Sequence, residues 1–248
     1  MRFTSNLLKE GVFTDFLTIM KTSLLLAAAL AASSASVHSQ TFVTQTLAFD
    51  GVPNYTDALV FDKYTGLASD IISIRISYSL TVAGGIFIFD NDALTPANGV
   101  IAEFGTSLGV TSTDVSLLNG SFQPVISNAK STNSGTFNLA ANQGDGPSDF
   151  SPDGPDGAQL FGAVVTTTGS GNIGSVLFGQ YAGGGTFTIN AAASQLASLS
   201  FNSGIETATT PQNASGFVTV RYEVIPEPSS ALLIGLGVLG LACRRRRA

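Results

Sequence analysis

Between residues 71 and 82 the chain reads I-I-S-I-R-I-S-Y-S-L-T-V. From Ile72 onward the side chains alternate without a break. Ile72, Ile74, Ile76, Tyr78, Leu80 and Val82 point one way; Ser73, Arg75, Ser77, Ser79 and Thr81 point the other. Successive residues of a strand face opposite sides of a sheet, so a period of two specifies a long strand with one buried and one wet face. A helix would scatter the same residues around its whole circumference. Near the far end of the chain, F-V-T-V-R-Y-E-V repeats the pattern, with Val218, Val220, Tyr222 and Val224 inward and Thr219, Arg221 and Glu223 outward.

Shorter β-prone runs at 44–49, 86–89, 163–167, 176–178 and 186–189 lie between clusters of Gly, Asn, Asp and Pro, which punctuate strands with turns. Helical periodicity is nearly absent between the two ends. Residues 191–200 are ambiguous, and a short helix is one reading of them. Many short strands in one Gly-rich, acidic segment predict an all-β domain, an antiparallel β-sandwich or jelly roll. A signal helix is expected before it and a hydrophobic helix after it.

Both ends carry the marks of targeting. Met20-Lys21 opens a stretch with one positive charge, an apolar core from Leu24 to Ala32, and a small-x-small site at Val37-His38-Ser39 before Gln40. That is the layout of a secretory signal, removed by signal peptidase. Glu10 and Asp15 offset Arg2 and Lys9 in the preceding 19 residues, which fit the layout badly and point to Met20 as the start. A genuine extended leader is the alternative.

At the other end stand Pro226-Glu227-Pro228, an uncharged run at 231–243, and Arg244, Arg245, Arg246 and Arg247. A 13-residue helix spans roughly 20 Å, against roughly 30 Å of bilayer hydrocarbon, so the run is a weak permanent anchor. The adjoining arginines stay cytoplasmic under the positive-inside rule, which places the chain body across the membrane. A buried C-terminal helix is the competing reading. Gly235, Gly237 and Gly240 weaken a soluble helix, and the run has no polar face to turn to water. In order and spacing these three parts resemble the PEP-CTERM sorting signal. That resemblance implies recognition by an exosortase, a membrane-embedded cysteine protease-transpeptidase that cuts near Pro-Glu-Pro, and transient contact with the membrane.

The reading divides the chain into 1–39 (extension and signal), 40–225 (β domain) and 226–248 (sorting signal). Of the 17 acidic residues all but Glu10, Asp15 and Glu227 fall in the β domain. They leave 14 acids against Lys63, Arg75, Lys130 and Arg221, a net charge of −10 where the whole chain carries −6. Such a surface repels phosphates and supplies no counterion release, which argues against nucleic acid as a partner. The single His is His38, in the leader, and the single Cys is Cys243, in the tail. Within 40–225 this excludes disulfides, Cys/His zinc sites, Ser-His-Asp triads and a catalytic thiol. Trp, a favoured platform for sugar rings, is absent from the chain.

The segments Q-T-L-A-F-D, V-F-D-K-Y-T-G, the alternating strand, Y-A-G-G-G-T-F-T and G-F-V-T-V-R-Y-E-V together resemble the choice-of-anchor E domain. Where that group has F-x-K-F-D and a Gly-Thr-Leu-like turn, this chain has Phe61-Asp62-Lys63-Tyr64 and Thr65-Gly66-Leu67. The resemblance implies a secreted domain carried on alternative surface anchors. It transfers no catalytic residues.

Four motifs remain. Gly169-Ser170-Gly171-Asn172-Ile173-Gly174 matches G-x-G-x-x-G, but a dinucleotide site needs a helix next and an acid about twenty residues on; a strand and a glycine turn are expected instead, and the motif reads as a loop. Asp145, Asp149, Asp153 and Asp156 lie in one Pro/Gly-rich loop, and clustered carboxylates of this kind suit Ca²⁺, although the spacing is not that of an EF-hand. A solvated turn is the plainer reading. Asp90-Asn91-Asp92 is read in the same way. Arg75 and Arg221 are expected to be surface or cross-strand charge partners rather than ligands.

No cofactor beyond calcium is expected. The leading function is a non-enzymatic exported surface or matrix protein associated with exopolysaccharide. One alternative is a carbohydrate-binding module in which Tyr55, Tyr64 or Tyr181 stack on sugars, although packing in the core or at its rim is the plainer reading of these tyrosines. The other is a glycoside hydrolase, which needs two carboxylates roughly 5 to 10 Å apart in one cleft.

Overall fold

The computed structural model describes residues 40–143, 154–201 and 203–225. The expected signal helix (1–39) and hydrophobic helix (226–248) lie outside the described residues; among these no helix is long and apolar enough to cross a membrane. The fold is mostly β. Its strands are β1 (Thr41–Gly51), β2 (Tyr55–Asp62), β3 (Ile71–Ala83), β4 (Ile86–Asn91), β5 (Ala97–Thr111), β6 (Ala129–Leu139), β7 (Gly157–Phe161), β8 (Val165–Asn172), β9 (Thr186–Leu199), β10 (Ile205–Thr209) and β11 (Asn213–Val224). They form three antiparallel sheets, ordered β1-β11-β3-β8, β10-β4-β7 and β2-β9-β5-β6.

The two alternating strands are neighbours. β11 pairs with β3 so that Val220 faces Ile76 and Val218 faces Tyr78. Ile74, Ile76, Leu80, Val82, Val218, Val220 and Tyr222 are buried in the core that these strands share with β2 and β9, where Leu59, Phe61, Phe187 and Ile189 sit. The expected inward face fails at one position. A bulge between Glu223 and Val224 leaves Ile72 unmatched, and its side chain turns outward at 42% exposure while Ile71 takes the buried place. One extra residue in a strand reverses every side chain beyond it, so a bulge at the strand's start costs the pattern one residue only.

Three further expectations change. Residues 176–178 belong to a 3-10 helix, Ser175–Gln180, because Gly174 and Tyr181 close it with i to i+3 hydrogen bonds. Residues 191–199 continue β9, which lies between β2 and β5 in one sheet and buries Ala191 and Ala193 in the core. Alanine favours helices in isolation, but a small side chain on a two-sided strand is decided by tertiary packing. Most of Gly169–Gly174 lies in β8, paired with β3, and not in a loop.

The sheet β10-β4-β7 is the continuation of β11-β3-β8 beyond a common corner. All three strands break at one level: at Gly84-Gly85 between β3 and β4, at 162–164 between β7 and β8, and at 210–212 between β10 and β11. The corner is stitched by Gly162 N–H to Gly85 O (2.9 Å), Thr210 N–H to Ile86 O (2.9 Å) and Ile86 N–H to Thr210 Oγ1 (2.8 Å). Gly84 and Gly85 have φ of 75° and 77°, a region open to glycine at little cost. Beyond the corner a second core forms from Phe87, Phe89, Val100, Phe104, Leu139 and Ile205. Its phenyl rings meet at centroid distances of 4.9 to 5.8 Å. Buried Thr106, Ser131 and Gln212 mark the level of the corner.

Candidate functional site

The outer face of β1-β11-β3-β8 is a lattice fixed by register. One row across it reads Thr44, Arg221, Arg75, Asn172, and the next reads Thr46, Thr219, Ser77, Ser170. Arg75 and Arg221 are therefore opposite each other on adjacent strands, both exposed. Both lie on the surface, as the alternation predicts, but the cross-strand partner of each is a like charge. Like charges directly opposite are destabilising. Neutral contacts hold each in place. The Arg221 guanidinium lies 3.8 Å from the centroid of the Phe42 ring, and Arg75 Nη2 donates to Ser170 Oγ at 2.6 Å. Glu223, one row away, accepts from Ser73 Oγ at 2.8 Å. Neither arginine forms an ion pair among the described residues, where Lys130 and Glu103 do so at 2.6 Å. A depression of about 270 Å³ opens between Phe42, Ser73, Arg75, Asn172, Arg221 and Glu223. The signal was present in the sequence: I-R-I and V-R-Y each put an arginine mid-strand on the wet face, and only the register was missing.

The tyrosines weighed for sugar stacking are spent on the core. Tyr181 is fully buried and donates to Ser116 O at 2.9 Å; its ring meets Phe187 edge-on at 5.2 Å. Tyr55 and Tyr64 pack against the same core, Tyr55 donating to Ala214 O at 2.8 Å. They do not form an exposed row. Burial raises the hydroxyls of Tyr181 and Tyr222 well above the ordinary phenol range, and burial with nearby Asp57 and Asp50 pushes Tyr55 up to about 12.

The acidic loop is described in part. Asp145, Asp149 and Asp153 lie outside the described residues. Asp156 is buried; its Oδ2 accepts from Gln143 N–H at 2.7 Å and its Oδ1 has no partner among the described residues. Its carbonyl accepts from Asn91 N–H at 3.0 Å, so the fold draws the two acidic stretches noted in the sequence to one place. Asn91 is also buried and ties the turn through its Nδ2 to Thr95 O and Ala140 O. Among the described residues no group of three or more His, Cys, Asp or Glu side chains is placed to hold a metal ion. A cleft of about 730 Å³ beside 110–118 and Gln180 holds one carboxylate, Asp114, which accepts from Thr188 N–H at 2.8 Å. It does not supply the pair that glycoside hydrolysis requires.

Pro226, Glu227, Pro228, Arg244, Arg245, Arg246 and Arg247 lie outside the described residues. The described chain runs to Ile225, one residue past β11, and Ile225 N–H donates to Asp70 O at 2.8 Å.

No curated protein matches the chain. Solved structures of infectious bursal disease virus are matched weakly. For the Gx strain the identity is 12%, covering 75% of this chain and 38% of that one, with a TM-score of 0.17. For the VP2 subviral particle the values are 12%, 84%, 50% and 0.18. The chain thus spans half or less of the length of these structures, and likenesses this slight carry no argument. Residues 224–247 match the PEP-CTERM protein-sorting motif, which indicates an exported protein targeted to exosortase and sorted to the cell surface.

Proposed function

We propose that this chain is a non-enzymatic surface or extracellular-matrix protein, exported, cut by exosortase, and associated with exopolysaccharide. The observation that carries the proposal is the sorting motif at 224–247, which begins on the last residue of β11. Cleavage near Pro226–Pro228 would leave every described strand on the released side. In this reading a leader within 1–39 is removed by signal peptidase, and 231–243 holds the tail in the membrane only until the cut. Residues 40–225 are then the mature domain, a β-sandwich of the choice-of-anchor E kind. The absence of His and Cys from 40–225 supports a role without enzymatic chemistry. Calcium in the loop of Asp145, Asp149, Asp153 and Asp156 is part of the proposal, supported by the clustered carboxylates and by the buried Asp156 Oδ1, which has no partner among the described residues.

The test is a variant with alanine at 226, 227 and 228. It is expected to be exported and to melt at the wild-type temperature, yet to stay in the membrane fraction with its C-terminal arginines attached. Release of a shortened variant at the wild-type rate would refute the reading.

A further inference from the structure

We infer that the Arg75–Arg221 row on the outer face of β1-β11-β3-β8 is a binding site for the carboxylate groups of an acidic polysaccharide. The inference rests on the matrix-association reading above and names the chemistry of its ligand. Residues 40–225 carry four cations against 14 acids. Lys130 is committed to Glu103 and Lys63 stands elsewhere, while the remaining two cations share one register row. Chance placement in an acidic domain would spread them or set each beside a carboxylate.

Juxtaposed guanidiniums repel each other, and an anion seated across both removes that repulsion. Guanidinium edges match a carboxylate in a planar, two-hydrogen-bond fork. Phe42 stacks on one guanidinium and Ser170 accepts from the other, so both are oriented before a ligand arrives and less freedom is lost on binding. The face carries Arg75, Arg221, Asp50 and Glu223 and so sums to neutral, unlike the domain at −10. A lone phosphate engages only the two guanidiniums, whereas a uronate chain also meets the hydroxyls that border them.

A polymer is favoured over a small anion by the shape of the surface. The site is an open sheet face and not a closed pocket, and hydroxyls of Thr44, Thr46, Ser77, Thr168 and Thr219 border it. Such hydroxyls donate to and accept from sugar hydroxyls along a chain lying across the strands.

The experiment measures binding of the exported, purified protein to polygalacturonate, with neutral dextran and inorganic phosphate as comparison probes. Wild-type protein is expected to bind polygalacturonate with an affinity that falls as salt rises, and to bind dextran and phosphate at least tenfold more weakly. Arg75→Gln and Arg221→Gln should each weaken polygalacturonate binding about tenfold or more, whereas Lys63→Gln, with the same change in charge, should not. Arg75→Lys and Arg221→Lys keep the charge and lose the fork, and should recover only part of the affinity. Amide shifts in the wild-type protein on adding galacturonate oligomers should centre on 73–77 and 219–223, a readout independent of any variant's folding. Equal loss with Lys63→Gln, equal binding of dextran or phosphate, or shifts elsewhere would overturn the inference. Co-sedimentation with matrix from the producing cells separates the two readings. If wild type and both Gln variants sediment equally, the protein associates with matrix by another route; if none sediments, the matrix reading itself fails.

Discussion

At the scale of single residues, several side chains do work that composition conceals. Tyr181 and Tyr222 bring hydroxyls into the core, and burial raises both above the ordinary phenol value of about 10. The unfolded chain releases those protons first. Stability from this source is therefore complete below about pH 10 and is lost as pH rises through the folded-state values. We expect thermal midpoints to fall steadily above pH 10, with the ultraviolet signal of phenolate appearing together with unfolding. Phenolate appearing for all five tyrosines in a still-folded protein would contradict the packing of these two. Asp156 makes the second case. Its Oδ1, without a partner among the described residues, costs about 1–3 kcal/mol unless something satisfies it. If Ca²⁺ does so, millimolar calcium should raise the midpoint of wild-type protein by mass action and leave Asp156→Asn unmoved. An unchanged wild-type midpoint would return the residue to a purely structural role. The sequence drew attention to Asp156 because it sat among other carboxylates; its burial could not be read there, since a turn-rich acidic loop is ordinarily solvated.

At the scale of elements, legibility followed the contrast between neighbouring side chains. β3 and β11 could be read residue by residue because Ile, Val and Tyr alternate with Ser, Thr and Arg. β5 and β6 escape the same pattern, although β5 is the longest strand among the described residues. Its buried positions include Ala97, Ala102 and Thr106, and those of β6 include Ala129 and Ser131, so period two carries little hydrophobic contrast. The bulge at Ile72 and the 3-10 helix at Ser175–Gln180 are local departures whose causes lie in the partner strand and in turn hydrogen bonds. The corner linking the sheets is open to test by single substitutions. Gly85→Ala forces a left-handed backbone on an L-residue and brings its methyl within 3.0 Å of Thr210 O and 2.6 Å of the Gln212 side chain. We expect a loss of about 1–3 kcal/mol, the backbone part being about 1–2. Denaturant unfolding measures it, and Gly120→Ala, where nothing lies within 4 Å, serves as the control. Equal effects at the two positions would mean that the corner is not strained in the way its geometry states.

At the scale of the whole molecule, the chain separates what carries it from what it carries. The address is read from 224–247, and the described domain ends where that address begins. This part was legible in the sequence, because Pro-Glu-Pro, an apolar run long enough for only a weak permanent anchor and four arginines have a plain reading as transport chemistry. The Arg row was not legible: it exists only once β1, β11, β3 and β8 are in register. The central claim is that exosortase removes the tail. The measurement is the intact mass of wild-type protein recovered from matched hosts with and without exosortase. With the enzyme, the recovered chain should end near Pro226–Pro228 and lack Arg244, Arg245, Arg246 and Arg247; without it, the arginines should remain and the protein should stay with the membrane. Arginine-bearing protein released from the exosortase-containing host would contradict the account.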